Sequence, residues 1–134
     1  MEVEVAPKIL IVDDSPVIRK AIRSSIEWTT DWQVCGEAED GKDAIQKFKD
    51  LSPNIVILDL QMPVMNGLDA GREIARIAPN AILVMFTMHC SEELVSLAHA
   101  VGIREVVSKS ESSPDHLISA MRVALASETF GAIA

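Results

Sequence analysis

An α/β fold, a parallel sheet with helices on both faces, is predicted for this 134-residue chain by three observations. Five short apolar runs recur along it, helix-like segments separate them, and several unusual polar residues follow the runs at the same end. The runs are Lys8–Val12 (KILIV), Gln33–Ala38 (QVCGEA), Ile55–Leu58 (IVIL), Ala81–Phe86 (AILVMF) and Ile103–Val107 (IREVV). Alternating strand and helix patterns are the signature of βαβ units. The runs at 8–12, 55–58 and 81–86 are almost continuously apolar, as expected of strands buried on both sides. They predict a parallel sheet with helices on both faces, and the arrangement expected for it is a doubly wound (βα)5 three-layer sandwich with strand order 2-1-3-4-5.

The helices carry their own signals. Val17, Ile18, Ala21, Ile22, Ser25 and Ile26 repeat at helical spacing, and Ser15–Pro16 reads as an N-cap followed by proline in the first turn. Ala44, Ile45 and Phe48 mark a second helix. Leu68, Ile74, Ala75 and Ile77 mark a third, entered through Pro63 and Gly67. Ser91 with Glu92 and Glu93 starts the fourth, with negative charge at its positive end. Ser113, Pro114 and Asp115 repeat the first device, ahead of a stripe of Leu117, Ile118, Met121, Ala124 and Leu125. Residues 1–7 read as an N-terminal extension, 8–126 as one domain, and 127–134 as a weakly periodic tail expected to fray.

Bulk properties narrow the function classes. The length suits one ordinary domain, and 49% apolar residues suffice for a core. No apolar run approaches the ~20 residues of a membrane span, and residues 1–7 do not read as a signal peptide. A cytoplasmic protein with no membrane partner is expected. The net charge of −8, with no Lys/Arg cluster, argues against direct nucleic-acid binding. Cys35 and Cys90 lack metal or redox spacing and are expected as buried or half-buried free thiols. Trp28 and Trp32, at the turn after the first helix, are expected to pack.

The decisive pattern is where the polar residues fall. Asp13 and Asp14 follow the first run, Asp59 the third and Thr87 the fourth, and Lys109 lies just past the fifth. Right-handed crossovers make the strands parallel, so these ends share one edge of the sheet, where open α/β folds build their sites. Taken singly, each aspartate reads as a helix cap, Lys109 as a solvated surface residue and Thr87 as a strand end. Capping explains the conjunction poorly, because Ser15 can already cap beside Asp14.

Two unit charges 4 Å apart repel by about 4 kcal/mol at an effective dielectric of 20, so three carboxylates in one crevice call for a cation. Hard oxygen ligands on a shallow edge suit Mg²⁺, which keeps several waters and takes one or two carboxylates plus phosphate oxygens. A carboxylate beside Mg²⁺ can attack phosphorus and form an acyl phosphate. The incoming group then needs compensation from a cation and a hydroxyl, chemistry that Lys109 and Thr87 offer. Asp59 is the natural nucleophile, because the third strand lies between the first and the fourth.

These residues resemble the receiver domains of response regulators in two-component signalling, over residues 8 to about 126. The acidic pair after KILIV and the stretch Asp59-Leu60-Gln61-Met62-Pro63-Val64-Met65-Asn66-Gly67, similar to a D-x-x-M-P-x-x-[ND]-G phosphoacceptor loop, carry the resemblance. Thr87, Lys109 and the spacing of Ala38, Gly41 and Ala44 extend it. The resemblance implies a flavodoxin-like fold. It implies that Asp59 accepts phosphate from a histidine kinase or phosphotransfer protein. Asp14 would ligate Mg²⁺ directly, Asp13 directly or through water, and the backbone carbonyl of Gln61 would complete the protein ligands. Thr87 would swing to a phosphoryl oxygen and Lys109 would pair with the phosphate. The chain would be a phosphoacceptor that assists its own phosphorylation and dephosphorylation, and not a turnover enzyme. The readout would be the face of the fourth helix, fifth strand and fifth helix, with Leu94, Val95, Ala98, Ile103 and Val106 in that region, and a homodimer could form through it.

Two positions depart from the family pattern. Val106 stands where an aromatic switch residue is usual, and Ser110 follows the lysine where proline is common. Lys109-Ser110 with Thr87-Met88-His89 is similar to receivers of the NarL type, which precede helix-turn-helix domains. His89, two residues past Thr87, reads either as a surface histidine or as a modulator of phosphate lifetime. Other classes fit less well. An aspartyl phosphatase would use D-x-D, and Gln61 breaks that motif. A flavin-binding flavodoxin would not place Asp13–Asp14 against a phosphate. A degenerate receiver acting as a fixed binding module is opposed by the complete polar set. A stand-alone receiver and the input half of a transcription factor both remain open.

Overall fold

The computed structural model describes residues 6–110 and 114–133. Five parallel strands, β1 (Lys8–Val12), β2 (Gln33–Ala38), β3 (Ile55–Leu58), β4 (Ile82–Thr87) and β5 (Glu105–Ser108), lie in the order β2-β1-β3-β4-β5. Five helices connect and follow them: α1 (Pro16–Thr29), α2 (Gly41–Leu51), α3 (Gly67–Ile77), α4 (Glu92–Val101) and α5 (Pro114–Ile133). The parallel sheet covered on both faces is what the alternation predicts, and its doubly wound, flavodoxin-like order is what the resemblance implies.

The central strands β1, β3 and β4 are almost continuously apolar because both of their faces are covered. Leu10, Val12, Val56, Leu58, Leu83 and Met85 pack with Ala44 and Phe48 of α2, Ala70 and Ile74 of α3, and Leu94 and Ala98 of α4. The alternate residues Ile9, Ile11, Ile55, Ile57, Val84 and Phe86 pack with Ile22 and Ile26 of α1 and with Leu117, Ile118 and Met121 of α5. The period of two along each strand thus divides one sheet between two cores.

Caps set where four helices begin. Ser15, Asp40, Asn66 and Ser91 each accept a backbone N–H from the first turn of the helix that follows. The proposed Ser113 cap lies outside the described residues, as do residues 1–5 of the N-terminal extension. The α5 backbone runs on to Ile133, into the segment that reads as a tail from sequence. Helix propagation costs little once a first turn is fixed.

Strand β2 carries one irregularity. Ile9 pairs with Val34, but Leu10 pairs with Gly36, so Cys35 is an extra residue in the ladder. Beyond it the facing of β2 is inverted. Glu37 comes opposite Ile11, on the α1 side, and Ala38 opposite Val12, on the α2 side.

Several surface expectations are corrected. Trp28 is 88% exposed and joins neither core cluster of the described residues, whereas Trp32 is half-buried under the guanidinium of Arg122, 5.3 Å from its ring centre. The helical face decides this, because Ile22 and Ile26 take the inward positions of α1. Cys90 is exposed in the β4–α4 loop, and only Cys35 is half-buried. Leu94, Ala98 and Ile103 belong to the core, so they are not part of an open readout face. Among the described residues, the exposed large apolar side chains of α4 and α5 are Leu97 and Val123.

Candidate functional site

Each residue of the site is delivered by the C-terminal end of a strand. Asp13 and Asp14 leave β1, Asp59 leaves β3, Thr87 ends β4 and Lys109 follows β5. Backbone bonds across the sheet continue past the strands and fix these positions. Asp13 N–H donates to the Ala38 carbonyl, Asp59 N–H to the Val12 carbonyl, and Lys109 N–H to the Thr87 carbonyl at 2.8 Å. The four segments therefore meet because the ladder is one register, set by the buried runs.

Among the described residues, Asp13, Asp59 and Thr87 are the buried polar side chains at 2%, 8% and 1% exposure, and Asp14 is exposed at the rim. Carboxylate oxygens from Asp13, Asp14 and Asp59 all lie within 4.8 Å of one another. The Lys109 ammonium lies 2.7 Å from Asp13 and 3.2 Å from Asp59, with the Phe86 ring centre 5.8 Å away. Burial pushes the Asp59 carboxyl above its ordinary range. The Asp13 charge adds to the rise, and the charge and hydrogen bond of Lys109 oppose it. Lys109 alone cannot balance three carboxylates, and this all-oxygen donor set fits a hard divalent cation such as Mg²⁺.

The loop after Asp59 is tightly constrained. Gly67 N–H donates to the Leu60 carbonyl, and a Cβ at Gly67 would lie 2.0 Å from the Asp59 carbonyl oxygen. Glycine is required there by close backbone approach. Val64 has φ of 70°, with Met65 N–H bonded to the Pro63 carbonyl. That is the rare γ-turn, which holds a β-branched residue in a strained region. The Met65 carbonyl accepts from Gly41 N–H at 3.1 Å, tying the loop to the start of α2.

The remaining predicted residues sit around this centre. Gln61 is exposed in the loop, two residues past Asp59. His89 is exposed, and its N–H donates to Thr87 Oγ1 at 3.4 Å. Val106 is half-buried, opposite Met85 and therefore on the same face as Thr87. Ser110 Oγ lies 2.9 Å from Ser108 Oγ, and no cis peptide bond occurs among the described residues.

Three hydrogen bonds escaped the sequence reading. Asp13 Oδ1 accepts from Ser15 N–H, which closes the turn into α1. Arg19 Nη1 donates to the Asp13 carbonyl at 2.5 Å, and its Nε donates to Glu37 Oε1 at 2.9 Å. An arginine one turn past a cap was the available signal, but its acidic partner comes from the bulged edge strand.

Fold and rim together define a class: a flavodoxin-like domain with an acidic, lysine-backed pocket at the carboxyl edge of its sheet. A model of the response regulator receiver domain matches residues 9–122. The chain is 34% identical over 114 residues to the chemotaxis protein CheY of Thermotoga maritima, covering 85% of this chain and 93% of that protein. It is 34% identical over 121 residues to the uncharacterized transcriptional regulatory protein YxjL of Bacillus subtilis, covering 90% of this chain but only 55% of that one. A two-component response regulator of the LuxR family from Aurantimonas superimposes with a TM-score of 0.86 at 32% identity, over 92% of this chain and 87% of the other. The chain belongs to the response regulator receiver domain family, whose general function is to accept a phosphoryl group.

Proposed function

We propose that Asp59 is the phosphoacceptor, taking its phosphoryl group from a histidine kinase or phosphotransfer protein in a Mg²⁺-dependent reaction. The observation that carries this reading is the placement of buried Asp59 between Lys109 and two further carboxylates, with Thr87 on the same edge. An Asp59 carboxylate oxygen attacks phosphorus, the bond from phosphorus to the donor breaks, and an acyl phosphate remains. Bound by Asp13, Asp14, Asp59 and the Gln61 carbonyl, Mg²⁺ would supply charge neutralisation for the phosphoryl oxygens. Lys109 opposes the burial-driven rise of the Asp59 pKa before transfer and pairs with the phosphoryl group after it. Thr87 donates its hydroxyl to a phosphoryl oxygen.

Phosphorylation then acts as a switch. Reversing a 1:99 population needs about 5.5 kcal/mol of differential interaction, and a group of about two negative charges bonded only in one state can supply much of it. The output is a protein-interaction or dimerisation surface on α4, β5 and α5, where Leu97 and Val123 are exposed. Half-buried Val106 is smaller than an aromatic switch residue, so the signal from Thr87 runs through packing around Met85 and Val106. The chain works as a phosphoacceptor in the cytoplasm and not as a turnover enzyme, without direct nucleic-acid contact. Among the described residues, no helix is long and apolar enough to cross a membrane.

Acetyl phosphate with and without Mg²⁺, followed by intact-mass measurement, tests the site. One added phosphoryl group is expected, dependent on Mg²⁺ and absent in Asp59→Asn; equal labelling of that variant rejects the assignment. At the rim, His89 modulates phosphate lifetime through water access. An unchanged dephosphorylation rate in His89→Ala would end that part of the reading.

A further inference from the structure

We infer that Arg19, anchored by Glu37, is a positioning residue for the metal-binding loop: it holds the peptide that joins Asp13 to Asp14 and so sets the affinity of the site for Mg²⁺. The inference rests on the Mg²⁺ site proposed above. It concerns neither a ligand nor the phosphoacceptor.

The geometry begins in β2. Without the extra residue at Cys35, Glu37 would face α2; with it, Glu37 faces α1. There its two carboxylate oxygens are divided between two arginines of α1. Oε1 takes Arg19 Nε at 2.9 Å, and Oε2 takes Arg23 Nη2 at 2.8 Å. These bonds hold the Glu37 carboxyl below its ordinary range although burial acts in the opposite direction. The Glu37 backbone carbonyl accepts from Lys47 of α2, so the residue is fixed from both sides of the strand.

The Arg19 guanidinium is thereby pre-set at 16% exposure, and its Nη1 donates to the Asp13 carbonyl at 2.5 Å. That carbonyl belongs to the peptide between the two acidic residues. Asp13 N–H is already held by Ala38, and Asp13 Oδ1 by Ser15 N–H. Arg19 adds the contact on the far side of Asp13, next to Asp14. Asp14 is exposed, and among the described residues no hydrogen bond or ion pair holds its side chain. An arginine fork suits this task, because one planar group reaches a carboxylate and a carbonyl together. Groups that orient metal ligands typically alter affinity by 10–100-fold when removed.

Charge and position make opposite predictions for this residue. Arg19 is a cation near a cation site, so removing it by charge alone tightens Mg²⁺ binding. Removing it as a positioning group weakens binding. Mg²⁺ titration by calorimetry on wild type, Arg19→Gln and Arg19→Lys decides between them, with metal-free melting recorded for each chain. We expect Arg19→Gln to bind Mg²⁺ on the order of tenfold more weakly. Arg19→Lys, which keeps the charge but not the fork, falls between the two. With acetyl phosphate, the variants need more Mg²⁺ for half-maximal labelling, and their rate at saturating Mg²⁺ returns toward wild type. A lower melting temperature with unchanged or tighter Mg²⁺ binding makes Arg19 merely structural and overturns the inference. Wild type that binds no Mg²⁺ overturns the site itself along with it, a result distinct from binding that the variants share equally.

Discussion

The ammonium of Lys109 lies 2.7 Å from the carboxylate of Asp13, a pair formed across 96 residues of sequence with almost no access to water on either side. Asp59 is the second, longer contact of the same ammonium at 3.2 Å. Lys109 therefore holds together two carboxylates that repel each other. A phosphoryl group on Asp59 would compete with Asp13 for this ammonium.

Lys109→Met is expected to destabilise the metal-free chain by about 3 kcal/mol, the scale for leaving buried charge unpaired. Mg²⁺ should restore much of the loss, since it answers the same excess of carboxylate. Urea unfolding in chelator and in Mg²⁺ measures both terms. An unchanged midpoint in chelator rejects the pairing as a stabilising feature.

The raised pKa of Asp59 fixes the sign of a pH effect. A carboxyl whose folded pKa lies above its unfolded value contributes stability below the unfolded pKa, and that contribution is lost as pH rises through the folded pKa. Asp59→Asn cannot ionise. Without metal, the variant should therefore gain on wild type as pH rises from the acid range to neutrality. Denaturation midpoints for both chains across that range check it, and parallel curves count against a burial-raised Asp59.

Gly67 and Gly71 lie four residues apart on α3 and should respond differently to alanine. At Gly67 the new Cβ meets a backbone oxygen at 2.0 Å, and a cost of about 3 kcal/mol is expected. At Gly71 the nearest atom is the flexible end of Ile103 at 3.0 Å. The helix-propensity gain of about 1 kcal/mol should offset most of that strain. Comparable losses at the two sites would contradict the close approach at Asp59.

The two tryptophans give a similar contrast. Trp28→Ala should change stability by no more than about 0.5 kcal/mol, as for an exposed site. Trp32→Ala should cost about 2 kcal/mol, below the range for fully buried aromatics, because Trp32 is only half-buried. Thermal melts of the two variants provide the comparison.

The sheet was legible because its central strands are apolar on both faces, and the site was legible because four strand ends carry its side chains. What stayed hidden was non-local. Ile103 reads as the start of β5, but its N–H bonds back to the Ala98 carbonyl past Gly102, which sits at φ 106°. The apolar residue closes the end of α4, and strand pairing starts only at Glu105. Thr87 reads as following β4 but is its last paired residue, opposite Ser108. Glu37 reads as one polar residue in a mixed run, because a one-residue slip in ladder register leaves no mark in composition. The exposure of Trp28 was equally hidden, since an aromatic residue near a helix end does not reveal which neighbours take the inward face.

The pocket has two textures. Asp13, Asp59 and Thr87 are closed off, while Asp14, Met88 and His89 stand open at the rim. An opening that admits a phosphoryl donor also admits water, and water breaks an acyl phosphate. A chain charged at Asp59 would therefore be a clock as well as a switch. Its buried residues decide whether the clock can be wound, and its outer residues decide how long it runs. Two receivers with the same interior could then remember a signal for very different times.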